Sequence, residues 1–230
     1  MYRFIALSVC AALCSPLSPA YAGIIAQSGS VEIVPLPADV RTGQMESNRR
    51  IVAFVERQGL LLTSDVPLDI HLPGTSPDSG GQNLSPSIVP TGTAVSSYFV
   101  HFDALGEPAN GTIVFAEGSL TFNEDILGVI VLSSTLNATH AELGGEGTLY
   151  PGGDHQGMEL STAGAYVTLS GDRHTISFGM PVGPYSDNLR VITAVPEASS
   201  FALLALGSGA IVLVRCGRNH WRKSNVIPDC

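Results

Sequence analysis

His101 and Asp103 are the pair of side chains in this sequence whose spacing most resembles a reactive arrangement. They stand two residues apart in a run that alternates like a β-strand, so they lie on one face. A histidine beside a carboxylate could transfer a proton. A solvated end of a strand is the simpler interpretation, and we favour it here.

Two further groups of side chains could hold a metal ion. Histidine with carboxylate suits zinc or manganese, and such a set stands in two predicted loops: Asp154, His155, Asp172 and His174. Hard oxygen ligands suit Ca²⁺, and these are available from Asn123, Glu124, Asp125 and Asp103. Neither group has a fixed ligand spacing, so no metal or cofactor is assigned, and Ca²⁺ stays open.

The aromatic residues allow a carbohydrate platform or an ordinary core. Candidates for stacking are Tyr98, Phe99, Phe102 and Tyr150, while the single tryptophan is Trp221. Core packing is the default expectation for such residues. The sequence also lacks a G-x-S-x-G nucleophile elbow, a phosphate-binding loop and a dinucleotide fingerprint. We therefore expect no enzyme and no catalytic residue.

Short alternating segments must position all of these side chains. Apolar alternation or short apolar runs, separated by glycine- and proline-rich turns, predict an all-β domain, an antiparallel β-sandwich or jelly roll. Glu117-Gly118 is expected as a hairpin turn, 78–90 as an exposed loop, and 41–50 as a loop or short helical turn. The predicted strands lie at 66–72, 97–102, 113–115, 120–122, 126–132, 166–169, 176–178 and 189–192.

Charge and cysteine usage restrict the class of protein. Residues 23–195 contain six arginines and 18 acidic residues, a balance of −12, so no basic groove for nucleic acid is expected. All four cysteines, Cys10, Cys14, Cys216 and Cys230, lie outside this range. The domain therefore depends on its core and is not a disulfide scaffold.

Residues 1–22 have the three parts of a secretory signal peptide. Arg3 gives a positive start, 4–14 form an apolar stretch of 11 residues, and Ala20 and Ala22 frame an A-x-A site. Cleavage by signal peptidase after passage through the Sec translocon is expected before Gly23. The apolar stretch is shorter than the roughly 20 residues needed to span a bilayer.

The C-terminal segment 196–223 combines a polar dipeptide, an apolar stretch and a basic cluster. Val195, Pro196 and Glu197 precede a predicted membrane helix at 199–214, whose apolar side chains are Phe201, Leu203, Leu204, Leu206, Ile211, Val212, Leu213 and Val214. The positive-inside rule places the basic residues of 215–223 in the cytoplasm, followed by a short extension at 224–230. The basic residues are Arg215, Arg218, Arg222 and Lys223.

This order of Val-Pro-Glu, two serines, apolar helix and arginine cluster resembles the sorting signal of PEP-CTERM proteins. The third position of the motif is Ala198, where the family usually has proline. The resemblance implies recognition of Pro196-Glu197 by an exosortase, a membrane-bound intermediate, and delivery to the cell surface or extracellular matrix of a Gram-negative-type bacterium. Segments between about 50 and 193 also resemble a domain recurring among such proteins. A plain single-pass anchor remains the alternative.

Three functions are compatible with this organisation. The first is an exported, non-enzymatic surface or matrix protein that contributes to extracellular polysaccharide or cell-surface structure. The second is a secreted carbohydrate- or calcium-binding module. The third is an extracellular glycan-acting enzyme, which would need two carboxylates about 5–10 Å apart in a pocket. The sequence favours the first.

Overall fold

The computed structural model describes residues 23–76 and 84–195, except 107, 110 and 159. Contacts divide the chain into Met1–Ala194 and Val195–Cys230, and every element below belongs to the first unit. Within the described residues these elements are β1 (Ile24–Gly29), β2 (Val31–Ile33), β3 (Ile51–Leu61), β4 (Val66–Leu68), β5 (Gly74–Ser76), β6 (Ser87–Val89), β7 (Ala94–Phe102), β8 (Val114–Phe122), β9 (Ile126–Ile130), α1 (Ser133–Leu143), β10 (Tyr166–Leu169), β11 (Thr175–Val182) and β12 (Asp187–Ala194).

The strands form two five-stranded sheets and one two-stranded ribbon. Sheet A has the order β1-β8-β11-β10-β5, sheet B has the order β2-β3-β7-β12-β9, and β4 pairs with β6. Neighbouring strands are antiparallel except β2 and β3, which run parallel. The prediction of an all-β, largely antiparallel domain is therefore confirmed.

The main hydrophobic core lies between the two sheets. Leu120 and Phe178 from sheet A and Val100 and Val191 from sheet B belong to one cluster and are fully buried. Ring contact also crosses the gap, because the centroids of Tyr98 and Phe122 are 4.8 Å apart. Alternation along each strand supplies this inner face, as expected for a sandwich-like pair of sheets.

A second core covers the outer face of sheet B. Phe54, Phe99 and Ile192 on this face pack in one cluster with Leu136 of α1 and Val66 of β4. The central strands of sheet B are thus covered on both faces, and seven of the eight residues of β12 are buried. Sequence alternation cannot distinguish the two faces of such a strand.

The helix α1 is an element that the sequence analysis did not predict. Its N-cap Leu132 makes no side-chain capping hydrogen bond, and its buried residues are Leu136, Thr139 and Leu143. The carboxylate of Asp69 fixes the start of the helix instead, because one oxygen accepts the N–H groups of Val131 and Leu132, just before the helix, and the other accepts the Thr135 hydroxyl, all at 2.8 Å. A helix start stabilised by a residue so distant in sequence leaves no local signature.

The predicted hairpin turn at Glu117-Gly118 is wrong, because both residues lie in the middle of the continuous strand β8. Gly118 pairs with Gly29 on one side and Phe178 on the other. A Cβ on Gly118 would contact the Val31 side chain and lie 2.8 Å from the Ser28 carbonyl oxygen. Here glycine serves close approach of the corner between β1 and β2, and not a turn.

The structure also refines other predicted segments. The strand expected at 66–72 is shortened to β4, and Ile70 makes only isolated bridges to Ser85 and Val129. The loop expected at 78–90 contains strand β6, while its residues 78–83 lie outside the described residues. The segment 41–50 is a loop with a tight turn, in which the Gln44 N–H donates to the Arg41 carbonyl.

Candidate functional site

The two ends of the domain are defined by strand crossings between the sheets. At one end β8 passes to β9 through Asn123–Asp125, and β12 finishes beside this turn, since the Ala194 N–H donates to the Asp125 carbonyl at 2.9 Å. We call this the proximal end. At the other end β11 passes to β12 through 183–186, and we call this the distal end.

Two clefts flank the dipeptide Asp154-His155. The larger cleft is lined in part by residues 132–134, which come directly after the distal end of β9. The first has a volume of about 320 Å³ and is lined by Leu132, Ser133, Ser134, Asp154, Gly157, Met158 and Ser161. The second has a volume of about 100 Å³ and is lined by Ile113, His155, Thr162, Pro181, Gly183, Pro184, Tyr185 and Asp187. Hydroxyl groups, one carboxylate in each cleft and an aromatic pair make these the candidate ligand-binding surfaces of the described residues.

Short hydrogen bonds to α1 hold the wall shared by the two clefts. Ser133 Oγ accepts the N–H groups of Gln156 at 3.1 Å and Gly157 at 2.9 Å, and the Met158 N–H donates to the Val131 carbonyl. Gly157 allows this approach, because an added Cβ would contact that same carbonyl oxygen. The loop carrying Asp154 and His155 is thus fixed against the helix.

An exposed ring pair borders the second cleft. The rings of His155 and Tyr185 are stacked with centroids 4.9 Å apart and planes 18° from parallel. Tyr185 is 52% exposed, so one end of the pair remains open to solvent. Aromatic faces beside hydroxyls and a carboxylate suit a polyhydroxylated ligand. A glycosidase would need a pair of carboxylates, and neither cleft supplies two from its own lining.

A buried ion pair lies beneath α1, and its residues do not line either cleft. Arg190 Nε and Nη2 donate to the two carboxylate oxygens of Glu56 at 2.6 and 2.7 Å, and both side chains are 0% exposed. Arg190 Nη1 donates to Thr139 Oγ1 at 2.7 Å, and Ser97 Oγ donates to Glu56 at 2.6 Å. We call these residues, with His140 and Tyr150, the Arg190 network.

The rings around Arg190 complete this network. Its guanidinium carbon lies 5.3 Å from the Phe99 centroid and 5.7 Å from the Tyr150 centroid, within cation–π range. Arg190 Nη2 lies 3.0 Å from His140 Nδ1, which therefore acts as acceptor in a neutral imidazole. Burial, and then the charge of Arg190, lower the pKa of His140. Burial, and then the Glu56 carboxylate, raise the pKa of Tyr150.

Sequence reasoning missed this network. It considered neither Glu56 nor Arg190, and it assigned Tyr150 to a carbohydrate platform as the alternative to the core. The available signal was an arginine within the apolar segment 189–192, because a buried arginine requires a carboxylate partner. Because the Arg190 guanidinium is held by Glu56, Thr139 and His140, we assign the pair a structural role.

The pair His101 and Asp103 is buried, so the expected solvated strand end is wrong. His101 Nδ1 lies 2.7 Å from Asn188 Oδ1 and Nε2 lies 3.1 Å from the Gln44 carbonyl oxygen. Asp103 accepts the Gly43 N–H at 2.6 Å. Both side chains therefore fasten the loop 41–50 against β7.

The groups considered for metal binding are separated by the fold. His155 borders the distal cleft, whereas His174 lies at the proximal end, with Nδ1 3.0 Å from the Glu124 carbonyl oxygen. Asp103 follows the distal end of β7, far from the Asn123–Asp125 turn, so the expected calcium ligands do not converge. Among the described residues no cluster of three or more metal-ligating side chains is present.

The aromatic residues follow the core interpretation. Tyr98, Phe99 and Phe102 are fully buried between or behind the sheets, so these three cannot form an exposed carbohydrate platform. Tyr150 is half-buried against His140, with ring centroids 4.5 Å apart. The exposed ring that sequence reasoning missed is Tyr185, which follows Pro184 in the turn 183–186, where the sequence has no strand pattern.

Most of the residues that the sequence assigns to signal cleavage and sorting lie outside the described structure. Gly23 and Val195 are described, whereas Ala20, Ala22, Pro196, Glu197 and the predicted membrane helix 199–214 lie outside. No helix among the described residues is long and apolar enough to cross a bilayer. The basic cluster Arg215, Arg218, Arg222 and Lys223 also lies outside the described part.

Comparison with known proteins gives no relative from which a role could be transferred. The chain matches no protein-family model, no curated protein sequence and no solved structure at a significant level.

Proposed function

We propose that this chain is an exported cell-surface or extracellular-matrix protein without enzymatic activity. In this proposal the Sec translocon and signal peptidase deliver the domain, and an exosortase recognises Pro196-Glu197 in the membrane-retained intermediate. The domain then acts outside a Gram-negative-type cell, in contact with extracellular polysaccharide. The proposal rests on the two processing signals in the sequence and on the place in the domain at which the chain connects to each of them.

One geometric observation carries the proposal. Gly23, the first residue after the predicted signal cleavage, donates its N–H to Asn123 Oδ1 at 2.9 Å. Ala194, three residues before Glu197, donates its N–H to Asp125 at 2.9 Å. Both connections therefore leave from one turn at the proximal end. A domain held by a membrane segment at each terminus during export is accommodated best when both exits share one end.

The distal end is the end of the domain opposite the two connections. Along β11 the two ends are separated by seven residue steps, or about 23 Å at ~3.3 Å per residue. The candidate clefts beside Asp154 and His155 lie toward this distal side, where a polymer outside the cell could reach them. The stacked pair of His155 and Tyr185 favours a carbohydrate over a purely anionic ligand, which the acidic surface would repel.

Deletion of the exosortase gene in the source bacterium tests the sorting step. The proposal predicts a larger form retained in the membrane fraction, because the helix at 199–214 and its basic cluster stay attached. A strain expressing the chain with Glu197→Ala serves as the matched comparison and should behave in the same way. Unchanged size and location in both strains would refute the sorting role and leave the single-pass anchor.

A further inference from the structure

Glu124, in the turn at the proximal end, has a buried carboxylate with no cation in hydrogen-bonding contact among the described residues. The residue is 3% exposed, and neither carboxylate oxygen makes a hydrogen bond within the described residues. The hydroxyl groups of Tyr98 and Thr193 are also buried and unsatisfied. Charged side chains are almost never buried without a partner. This concentration of three unsatisfied groups indicates that a binding partner is missing.

The neighbouring cations do not supply that partner. The guanidinium of Arg173 is engaged by the carbonyl oxygens of His71, Ile126 and Leu127 at 2.7 to 3.0 Å. His174 turns its Nδ1 toward the Glu124 carbonyl oxygen and its Nε2 toward the exposed Asp125 at 3.5 Å. Both groups are therefore engaged by other oxygens.

The charge balance around the carboxylate agrees with this account. Burial raises the pKa of Glu124, and the Thr193 hydroxyl, the Gly23 amide and the more distant charge of His174 offset this only in part. Burial, and then the charge of Glu124, raise the pKa of Tyr98 to about 12. The carboxylate therefore has no cation in direct contact, while the Tyr98 and Thr193 hydroxyl groups can still donate hydrogen bonds.

Gly23 stands next to this site. Its N–H donates to Asn123 Oδ1, the side chain adjacent to Glu124, and its carbonyl oxygen accepts the Asn123 N–H at 3.3 Å. As an amide this nitrogen has one hydrogen, and that hydrogen is used. As a free α-amine it would carry three N–H donors and a positive charge, enough to keep Asn123 and add the carboxylate of Glu124.

We propose that Glu124 is the binding site for the chain's own new N-terminus, so that signal cleavage before Gly23 completes a buried ion pair. In that step water hydrolyses the bond between Ala22 and Gly23. Its hydroxyl goes to the Ala22 carboxyl group, one hydrogen goes to the Gly23 nitrogen, and the amine takes up a further proton at neutral pH. The resulting ammonium pairs with the ionised carboxylate.

The consequence is a domain that tightens only after export. Before cleavage, ionisation of Glu124 in its buried position opposes folding. After cleavage, the same charge fixes the start of β1 to the turn between β8 and β9, and thereby joins the first strand of sheet A to a crossing between the sheets. The inference rests on the proposed export, because it requires cleavage at Gly23.

A variant at Glu124 in cleaved and uncleaved chains tests this. The full-length chain is exported in a bacterial host, solubilised from membranes, and its first residue is identified by N-terminal sequencing. Uncleaved chain comes from Ala20→Phe with Ala22→Phe, which removes the small residues that the peptidase requires. Glu124→Gln should lower the melting temperature of the cleaved chain and leave unchanged or raise that of the uncleaved chain. The neighbouring Asp125→Asn, at an exposed carboxylate, should act equally in both.

The outcomes separate the two proposals. A first residue other than Gly23 overturns this inference together with the predicted signal cleavage. If Gly23 is the first residue and Glu124→Gln shifts both melting temperatures by the same amount in the same direction, the inference alone fails.

Titration of the α-amine gives an independent readout. In the cleaved chain its pKa, followed by NMR through the ¹³Cα chemical shift of Gly23, should lie above the usual value of about 8. Glu124→Gln should return it to that value. Because the folded pKa is raised, the stabilisation is complete below pH ~8 and is lost as the pH rises through the folded pKa. An ordinary pKa in both proteins would contradict the ion pair.

Discussion

At the scale of single residues, the Arg190 network shows what charged groups contribute inside this domain. The side chains of Arg190 and Glu56 are both fully buried, and Nε, Nη1 and Nη2 of the guanidinium each donate a hydrogen bond. A pair of this kind adds little net stability over an apolar pair, but loss of one partner leaves an uncompensated buried charge. The network therefore fixes how α1 sits on sheet B.

Replacement of Glu56 by Gln should destabilise the domain strongly. The guanidinium of Arg190 would then be buried without its counter-charge, at an expected cost of about 3–5 kcal/mol in the free energy of unfolding. Chemical denaturation of the wild-type and variant proteins measures this difference.

The matched control is the exposed pair between Arg50 and Glu32, whose nearest atoms are 3.2 Å apart. Glu32→Gln should cost less than about 1 kcal/mol, because solvent screens such a pair. Equal effects of the two substitutions would show that Arg190 is not held in the buried environment described here.

Single-residue roles were only partly predictable. The sequence correctly favoured core packing for Tyr98, Phe99 and Phe102, because aromatic residues in alternating strands usually face the core. It gave His101 and Asp103 a solvated position, since the covering loop 41–50 has no pattern that marks it as a lid on β7. Long-range partners such as Glu56 for Arg190 cannot be paired from sequence spacing.

At the scale of elements, close approach of backbones at the corner between β1 and β2 organises sheet A. Gly29 has a positive φ of 68°, and an added Cβ would contact the Glu117 carbonyl oxygen and lie 2.8 Å from the Gly118 Cα. Gly59 has a nearly identical φ of 64°, with nothing within 4 Å of an added Cβ. An alanine at either position would therefore have similar backbone strain, but only at Gly29 would its Cβ also meet a neighbouring backbone.

Gly29→Ala should lower the melting temperature more than Gly59→Ala. Both substitutions pay about 1–2 kcal/mol for an alanine in the left-handed region, and only Gly29→Ala adds a clash with the backbone of β8. Thermal unfolding of the two variants measures the difference. Equal melting temperatures would mean that β1 does not approach β8 as closely as described.

Elements were predictable where the pattern is local. The strand at 166–169 was predicted with its observed limits, and 176–178 and 189–192 lie within β11 and β12. The helix α1 was missed because its start is fixed by the distant Asp69 and only three of its residues are buried. The turn at Glu117-Gly118 was wrong because a glycine that permits close approach looks the same in sequence as a glycine in a turn.

At the scale of the whole molecule, the domain joins a closed pair of sheets to two exits at one end. β1 begins one residue after the predicted signal cleavage, and β12 ends one residue before Val195. The domain contains no cysteine, so its two cores hold it together without disulfides. An acidic, cysteine-free domain with its exits together is compatible with function outside the cell while the chain is tethered.

Mass spectrometry of the terminal peptides of the protein recovered from its native cell surface or medium tests the central claim most directly. We expect a first peptide beginning at Gly23 and no peptide from 201–230. In this account signal peptidase removes residues 1–22, and an exosortase removes the membrane helix with its basic cluster. Recovery from that fraction of a chain that still carries Arg215, Arg218, Arg222 and Lys223 would contradict the sorting account.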